Sequence, residues 1–207
     1  MNGEVRTSSD LVVVGLGNPG PEYEHTRHNI GRRCVEAFGE RVGIALTRRR
    51  WRSRVGSGFA GGRRVWLLEP QTFMNMSGRA VKEALRDLQV PLDSLWVVHD
   101  EMDLPLCRLR IRVGGSDAGH NGIGSIVAAL GADEFVRFRV GVGKQPAPGS
   151  AVGARHVLGR FAKVEAEAVD AVVRGVACAL ETALQEGLSR AMELYNRSGS
   201  LGCEEIA

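Results

Sequence analysis

The sequence predicts an α/β fold: a single globular domain with a twisted mixed β-sheet surrounded by helices. Three observations carry this expectation. Short apolar runs alternate along the chain with segments whose apolar residues recur at helical spacing. One pair of strand-like runs is joined by Gly61-Gly62, a two-residue hairpin turn, so part of the sheet is antiparallel. The 207 residues, 43% of them hydrophobic, suffice for one sizeable core, and neither an internal repeat nor a clear linker divides them. The expected division is an N-terminal extension over 1–10, the domain over 11–196 and a flexible tail over 197–207.

The elements follow in order. Residues 11–14, Leu-Val-Val-Val, read as a buried strand that runs straight into a glycine loop. Ile30, Cys34, Val35, Phe38 and Val42 recur as one face of a helix over 30–42. Residues 54–60 and 63–68 form the hairpin, and a loop over 70–77 precedes an amphipathic helix over 80–88. Residues 95–98 are a second buried strand, ending in His99-Asp100-Glu101. Arg108, Arg110 and Arg112 alternate with Leu109, Ile111 and Val113, the period of a strand with one wet, positive face. A second glycine-rich loop, 114–122, leads into a helix to about Leu130, and 136–142 alternates again with Arg137 and Arg139 on one side. The alanine-rich stretch 162–195 is helical, with a break expected near Gly187.

Composition narrows the function classes. No apolar run approaches the roughly 20 residues of a membrane span, and residues 1–10 lack the basic-then-apolar order of a secretory signal. Cys34, Cys107, Cys178 and Cys203 are widely spaced without a C-x-x-C pair, which fits reduced thiols in a cytosol-like compartment better than a disulfide framework or zinc site. The net charge of +3 is too mild to demand nucleic acid by itself. Of the 27 basic residues 24 are arginine, the better phosphate fork, although a compositional bias explains the ratio equally well. The basic run "TRRRWRSR" over 47–54 reads first as a solvated loop and strand edge, and second as a phosphate-contacting patch.

"GLGNPGPEYEHTRHNIG", residues 15–31, opens on the spacing Gly15-x-Gly17-x-x-Gly20 of a dinucleotide fingerprint. That fingerprint needs a helix directly behind its glycines to receive the pyrophosphate. Residues 21–28 carry no apolar stripe for such a helix, so a dinucleotide cofactor is disfavoured. No G-x-S-x-G elbow, H-E-x-x-H helix or phosphate loop occurs. Asp100, Glu101 and Asp103 form an acidic turn that reads as a solvated cap rather than a cation site.

What remains is a set of polar residues where strands end: Asn18, His28, Asn75, Asp100 and Asn121. Asparagine offers a donor and an acceptor without titrating, and suits a developing oxyanion. Histidine takes a proton near neutral pH, and an aspartate at its other nitrogen fixes its tautomer. Each residue taken singly is as readily explained by turn chemistry.

"GLGNPGPEYEHTRHNIG", "PQTFMNMSG", "VHDEMDLP" and "GGSDAGHNG…FVRFRVGVG" stand in the order and spacing of one family. From about Leu11 to Asn196 the chain resembles the bacterial-type peptidyl-tRNA hydrolases. The resemblance implies an esterase that frees tRNA from a peptide, in a single α/β domain, usually monomeric, that needs no metal; no cofactor is expected, and the expected location is the cytoplasm, or an organelle if a longer precursor exists. It implies that His28 is the catalytic base, that Asp100 holds and polarises it, and that Asn18 helps admit N-blocked aminoacyl groups. It places Tyr23, Phe73, Asn75 and Asn121 at the peptide and terminal adenosine, and Arg112 and Arg139 at the tRNA 5′ phosphate. The alternative, a relative that keeps the fold for RNA processing without catalysis, fits less well with His28 and Asp100 both present.

The chain departs from the family pattern in places. Glu69 stands where lysine is common, which would make that rim more acidic. Cys107 and Ala118 stand where glycine is usual, and Lys144-Gln145-Pro146 replaces a basic residue followed directly by proline.

Overall fold

In a computed structural model, which describes residues 10–143 and 155–204, the chain forms one mixed seven-stranded sheet between helical layers. The elements are β1 (Leu11–Gly15), α1 (Ile30–Val42), β2 (Arg48–Arg50), β3 (Ser53–Ala60), β4 (Arg63–Pro70), α2 (Ser77–Leu88), β5 (Leu95–Glu101), β6 (Leu109–Val113), α3 (Asn121–Leu130), β7 (Val136–Gly141), α4 (Ala166–Glu186) and α5 (Leu188–Tyr195). The strand order is β2-β3-β4-β1-β5-β7-β6. β4, β1, β5 and β7 run parallel, while β2-β3-β4 and β7-β6 pair antiparallel. This is the expected mixed sheet.

β1 lies at the centre, and all five of its residues are buried. Because side chains alternate along a strand, Leu11 and Val13 enter one core layer with α1 and α4, and Val12 and Val14 enter the other with α2 and α3. A strand covered on both faces is apolar throughout, as its sequence is. In α1, Ile30, Cys34, Val35 and Phe38 are fully buried, and Gly43 in the left-handed region ends the helix with its N–H on Glu40 O and Gly39 O. The hairpin turns at Gly61-Gly62, both at positive φ, and Gly187 separates α4 from α5.

Several elements differ from the sequence reading. β5 continues past its apolar run through His99, Asp100 and Glu101, because β7 pairs with it that far: Asp100 stands opposite Val140 and Glu101 opposite Gly141. α2 begins at Ser77, directly after a 3₁₀ turn at Met74–Met76, and not at Ala80. Gly78 permits this early start, since a Cβ there would lie 2.0 Å from Ser125 O. The basic run contains the exposed edge strand β2, turned into β3 at Trp51-Arg52, both at positive φ. Trp51 anchors the turn, 6% exposed with its Nε1 donating to Asp87 Oδ2 at 2.9 Å.

The cysteine reading is corrected at one pair. Cys107 and Cys203, 96 residues apart, form a disulfide, whereas Cys34 and Cys178 are free thiols. Sequence spacing hid the pair because α5 returns the chain to the edge strand β6. There the Asn196 side chain pairs with the Ile111 backbone at 2.7 and 3.0 Å, and Leu201 beyond it is buried. Residues 1–9 and 205–207, and the Lys144-Gln145-Pro146 departure, lie outside the described residues.

Two glycines of the opening motif position the site. A Cβ on Gly31 would sit 2.3 Å from Val98 O, and one on Gly15 would sit 2.7 Å from Gly31 O. Their absence lets the start of α1 lie against β1 and β5, with Leu16 N on Val98 O at 3.0 Å and Arg32 N on Leu16 O at 3.2 Å. The 3₁₀ turn Arg27–Asn29 is thereby held against the end of β5. Gly31→Ala should push that turn off the sheet and cost about 1–3 kcal/mol of stability, the range for overpacking a tight contact. Urea unfolding measures it, and wild-type stability in that variant would contradict the close approach.

Candidate active site

A cleft of about 840 Å³ opens where β1 and β5 end. This is the position at which open α/β sheets place their sites. Asn18, His28, Phe73, Asn75, Asp100 and Asn121 all line it, although they come from five separate segments.

At its floor is one buried carboxylate. Asp100 is 2% exposed, and its Oδ1 accepts from two imidazoles: His28 Nδ1 at 2.8 Å and His120 Nε2 at 2.9 Å. The proton positions follow from the neighbours. His120 precedes α3, and its Nδ1 accepts from the backbone N–H groups of Gly122 and Ile123 at 3.1 and 3.2 Å. It therefore caps the helix with its ring, and its proton sits on Nε2, facing Asp100. His28 likewise donates from Nδ1, which leaves its Nε2 lone pair for a ligand in the cleft. A third ring, His99, donates Nδ1–H to the Asp100 carbonyl at 2.8 Å and lies 4.8 Å from the His120 ring.

The electrostatics follow this geometry. Burial by itself would raise the Asp100 pKa, but the facing His120 and His28 outweigh it and hold the carboxyl well below the usual carboxylate range. Burial disfavours the charged form of His28, yet the charge and hydrogen bond of Asp100 prevail and lift it above its ordinary 6.5. His99 is pushed well below that value by burial and by His120 beside it. Ligand atoms of His28, Asp100 and His120 fall within 4.8 Å of one another. They make a poor metal site, because His120 Nδ1 is committed as an acceptor and its Nε2 therefore carries a proton.

Asn18 is held at three points. Its N–H donates to Asn29 Oδ1 at 2.8 Å, its carbonyl accepts from Asn29 Nδ2 at 2.9 Å and Arg32 Nη1 at 2.8 Å, and its Oδ1 accepts from Met74 N at 2.8 Å. With Oδ1 engaged, its Nδ2 hydrogens are the donors it can offer to the cleft. Phe73, 57% exposed, and Leu158, 44% exposed, give the cleft an apolar rim with Met74, Met76 and Met102.

The remaining expected residues fall elsewhere. Tyr23 does not line the cleft; its backbone is engaged in the turns over 20–26, where its carbonyl accepts from Thr26 N and Oγ1. Arg112 and Arg139 also lie off the cleft, on the β6–β7 ladder. Arg139 is paired with Glu101 at 2.7 Å, whereas Arg112 is exposed. Glu69 does not make the rim acidic: it is fully buried, paired across from Arg54 on β3. The Cys107 and Ala118 departures both put a side chain at positive φ, where glycine costs less.

Sequence reasoning missed His120, His99 and Asn29. His120 was within the quoted "GHNG", and a helix-capping position directly ahead of Asn121 was the available signal.

Fold and site together define a single-domain α/β protein with a histidine–carboxylate centre able to deprotonate water. The family model described as Peptidyl-tRNA hydrolase matches residues 12–201. The peptidyl-tRNA hydrolase of Carboxydothermus hydrogenoformans is 44% identical over 189 residues, 91% of this chain and 100% of that protein. That of Caldanaerobacter subterraneus subsp. tengcongensis is 43% identical over 185 residues, 89% of this chain and 98% of that one. A crystal structure of peptidyl-tRNA hydrolase from Acinetobacter baumannii superposes with a TM-score of 0.83 at 30% identity, covering 99% of this chain and 100% of that chain. The chain belongs to the peptidyl-tRNA hydrolase family.

Asp100→Asn tests the pairing. The raised His28 contributes stability in full below its ordinary value of about 6.5 and loses it as pH rises through its folded value. The lowered Asp100 contributes above about 3.8 and loses its share as pH falls toward its folded value. The stability gap between wild type and Asp100→Asn should therefore be largest between about pH 4 and 6.5, and the His28 titration followed by NMR should move to lower pH in the variant. An unmoved titration would show that Asp100 does not set His28.

Proposed function

We propose that this chain hydrolyses the ester bond between a peptide, or an N-blocked amino acid, and the 3′ end of tRNA, releasing the tRNA for reuse in translation. The single observation that carries the reading is the His28–Asp100 pair, with Nε2 left bare toward the cleft. None of the described residues lining the cleft is a serine, threonine or cysteine, so water is the natural nucleophile.

His28 Nε2 takes a proton from that water as its oxygen attacks the ester carbonyl carbon. Asp100 stabilises the imidazolium that forms. Negative charge develops on the carbonyl oxygen, and the Asn18 amide supplies N–H donors to it, a contribution of about 10²–10³-fold for such a group. The intermediate collapses by breaking the bond to the ribose 3′ oxygen, which leaves with the proton held on His28. The products are a free carboxylate and a free tRNA hydroxyl. No redox step or group carrier is needed, so the reading requires neither cofactor nor metal.

Phe73, Met102 and Leu158 provide apolar surface for a peptide, and Asn75 and Asn121 stand at the cleft edge to meet peptide or adenosine groups. Of Arg112 and Arg139, Arg112 is the better candidate for the tRNA 5′ phosphate, since it is exposed, as Arg110 also is on β6, whereas Arg139 would have to be shared with Glu101. A substrate contact at Tyr23 would lie outside the residues that line the cleft. Among the described residues no helix is long and apolar enough to cross a membrane. We place the chain in the cytoplasm with its substrate, as a monomer.

His28→Ala should lower release of N-acetyl-amino acid from N-acetyl-aminoacyl-tRNA by about 10²–10⁴-fold, the worth of a general base, while tRNA binding persists. Unchanged turnover in that variant removes His28 as the base. Wild-type protein that binds tRNA but releases nothing points to an RNA-binding relative without catalysis.

A further inference from the structure

Another buried carboxylate stands behind the cleft, away from the reacting atoms. Glu69 on β4 has no solvent exposure and faces α1. Its Oε2 lies 3.0 Å from Arg54 Nη1 and 3.7 Å from Arg32 Nη2, while its Oε1 has no partner among the described residues. Glu36, on α1 four residues after Arg32, draws on the same Arg54 nitrogen at 2.8 Å. Arg32 spans from this cluster to the site: its Nη1 donates to the Asn18 carbonyl at 2.8 Å. Its stem fills the space over Gly17, where a Cβ would meet Arg32 Cδ at 2.3 Å. Glu24 is the remaining charge acting on Arg32.

This arrangement is costly for a stability device. Burial, reinforced by Glu36, pushes the Glu69 carboxyl up to about 7, and Arg32 and Arg54 offset this only in part. Burial likewise lowers Arg32 against the pull of Glu69. An apolar residue at position 69 would avoid both penalties, as Leu67 and Leu68 do just before it. What the two charges do accomplish is to fix the Asn18 carbonyl from one side while Asn29 fixes it from the other.

We infer that Glu69 is a positioning residue of this active site, acting through Arg32 to hold the 17–20 loop so that Asn18 presents its side-chain amide to the cleft. The inference rests on the role proposed for Asn18. Without the carboxylate charge, Arg32 is released toward Glu36, Glu24 or solvent, and the Asn18 carbonyl loses one of its two clamps. Protonation of Glu69 does the same in the wild type, so the support is present above about pH 7 and fades below it.

The test is kcat/KM on N-acetyl-aminoacyl-tRNA from pH 5.5 to 8.5 for wild type, E69Q, R32Q, the double variant and N18A. At pH 8.5 E69Q should fall about three- to ten-fold, the worth of one hydrogen bond. The gap should close toward pH 5.5, where wild-type Glu69 is itself neutral; a merely structural loss would persist at every pH. R32Q should show the same closing gap, and the double variant should add nothing to it. R32Q keeps the test decisive if E69Q does not fold. N18A at the wild-type rate overturns the role of Asn18, and this inference with it. An impaired N18A beside an E69Q and an R32Q whose ratios to wild type stay constant with pH overturns this inference alone.

Discussion

The site depends on one buried negative charge. Asp100 sits at the end of a strand with almost no solvent, where an unpaired carboxylate would be protonated or would destabilise the fold. Two imidazoles on a single oxygen keep it ionised, and each arrives from a different part of the chain. Much of the local architecture serves that meeting. Gly15 and Gly31 let α1 lie close enough to the sheet to deliver His28. The N-terminus of α3 holds His120 through two backbone N–H groups, so that it can only donate toward Asp100. β7 carries β5 far enough to put Asp100 at the cleft and not within a loop.

Charge is arranged around the cleft by the same logic. Glu101 lines the cleft and is neutralised by Arg139. Arg137, almost fully buried on the same ladder, donates from its two Nη atoms to the carbonyls of Ser116 and Asp133, while its Nε has no partner among the described residues. Glu69, Arg32, Arg54 and Glu36 form a separate group on the α1 side of the sheet and reach the site through Arg32 at Asn18. The face offered to a peptide then combines apolar side chains and neutral amides with the exposed carboxylate of Asp103 and the imidazole of His28.

How much of this was legible in the sequence depended on range. β1, α1 and the Gly61-Gly62 hairpin are written in local periodicity and turn chemistry, and they stand where that pattern put them. The polar end of β5 was hidden because its strand character comes from β7, more than thirty residues away. β2 was hidden because three arginines resemble a solvated loop, and only pairing with β3 makes them a strand. In the site, Asn18, His28, Asp100, Asn75, Asn121 and Phe73 do share one cleft, whereas Tyr23 does not. The role of His120 depends on its tautomer, which is set by neighbours in space, and the Cys107–Cys203 bond depends on where α5 returns the chain. Burial of Glu69 shows the same limit: a charged residue before Pro70 reads as rim until α1 is placed over it.

The most direct measurement is the proton position on His28, read from the ¹⁵N shifts of its two ring nitrogens in neutral wild-type protein. The geometry requires the proton on Nδ1, bonded to Asp100, with a bare Nε2; His120 in the same spectrum should carry its proton on Nε2. A His28 protonated on Nε2 when neutral would leave no base facing the cleft, and would contradict water activation by this residue.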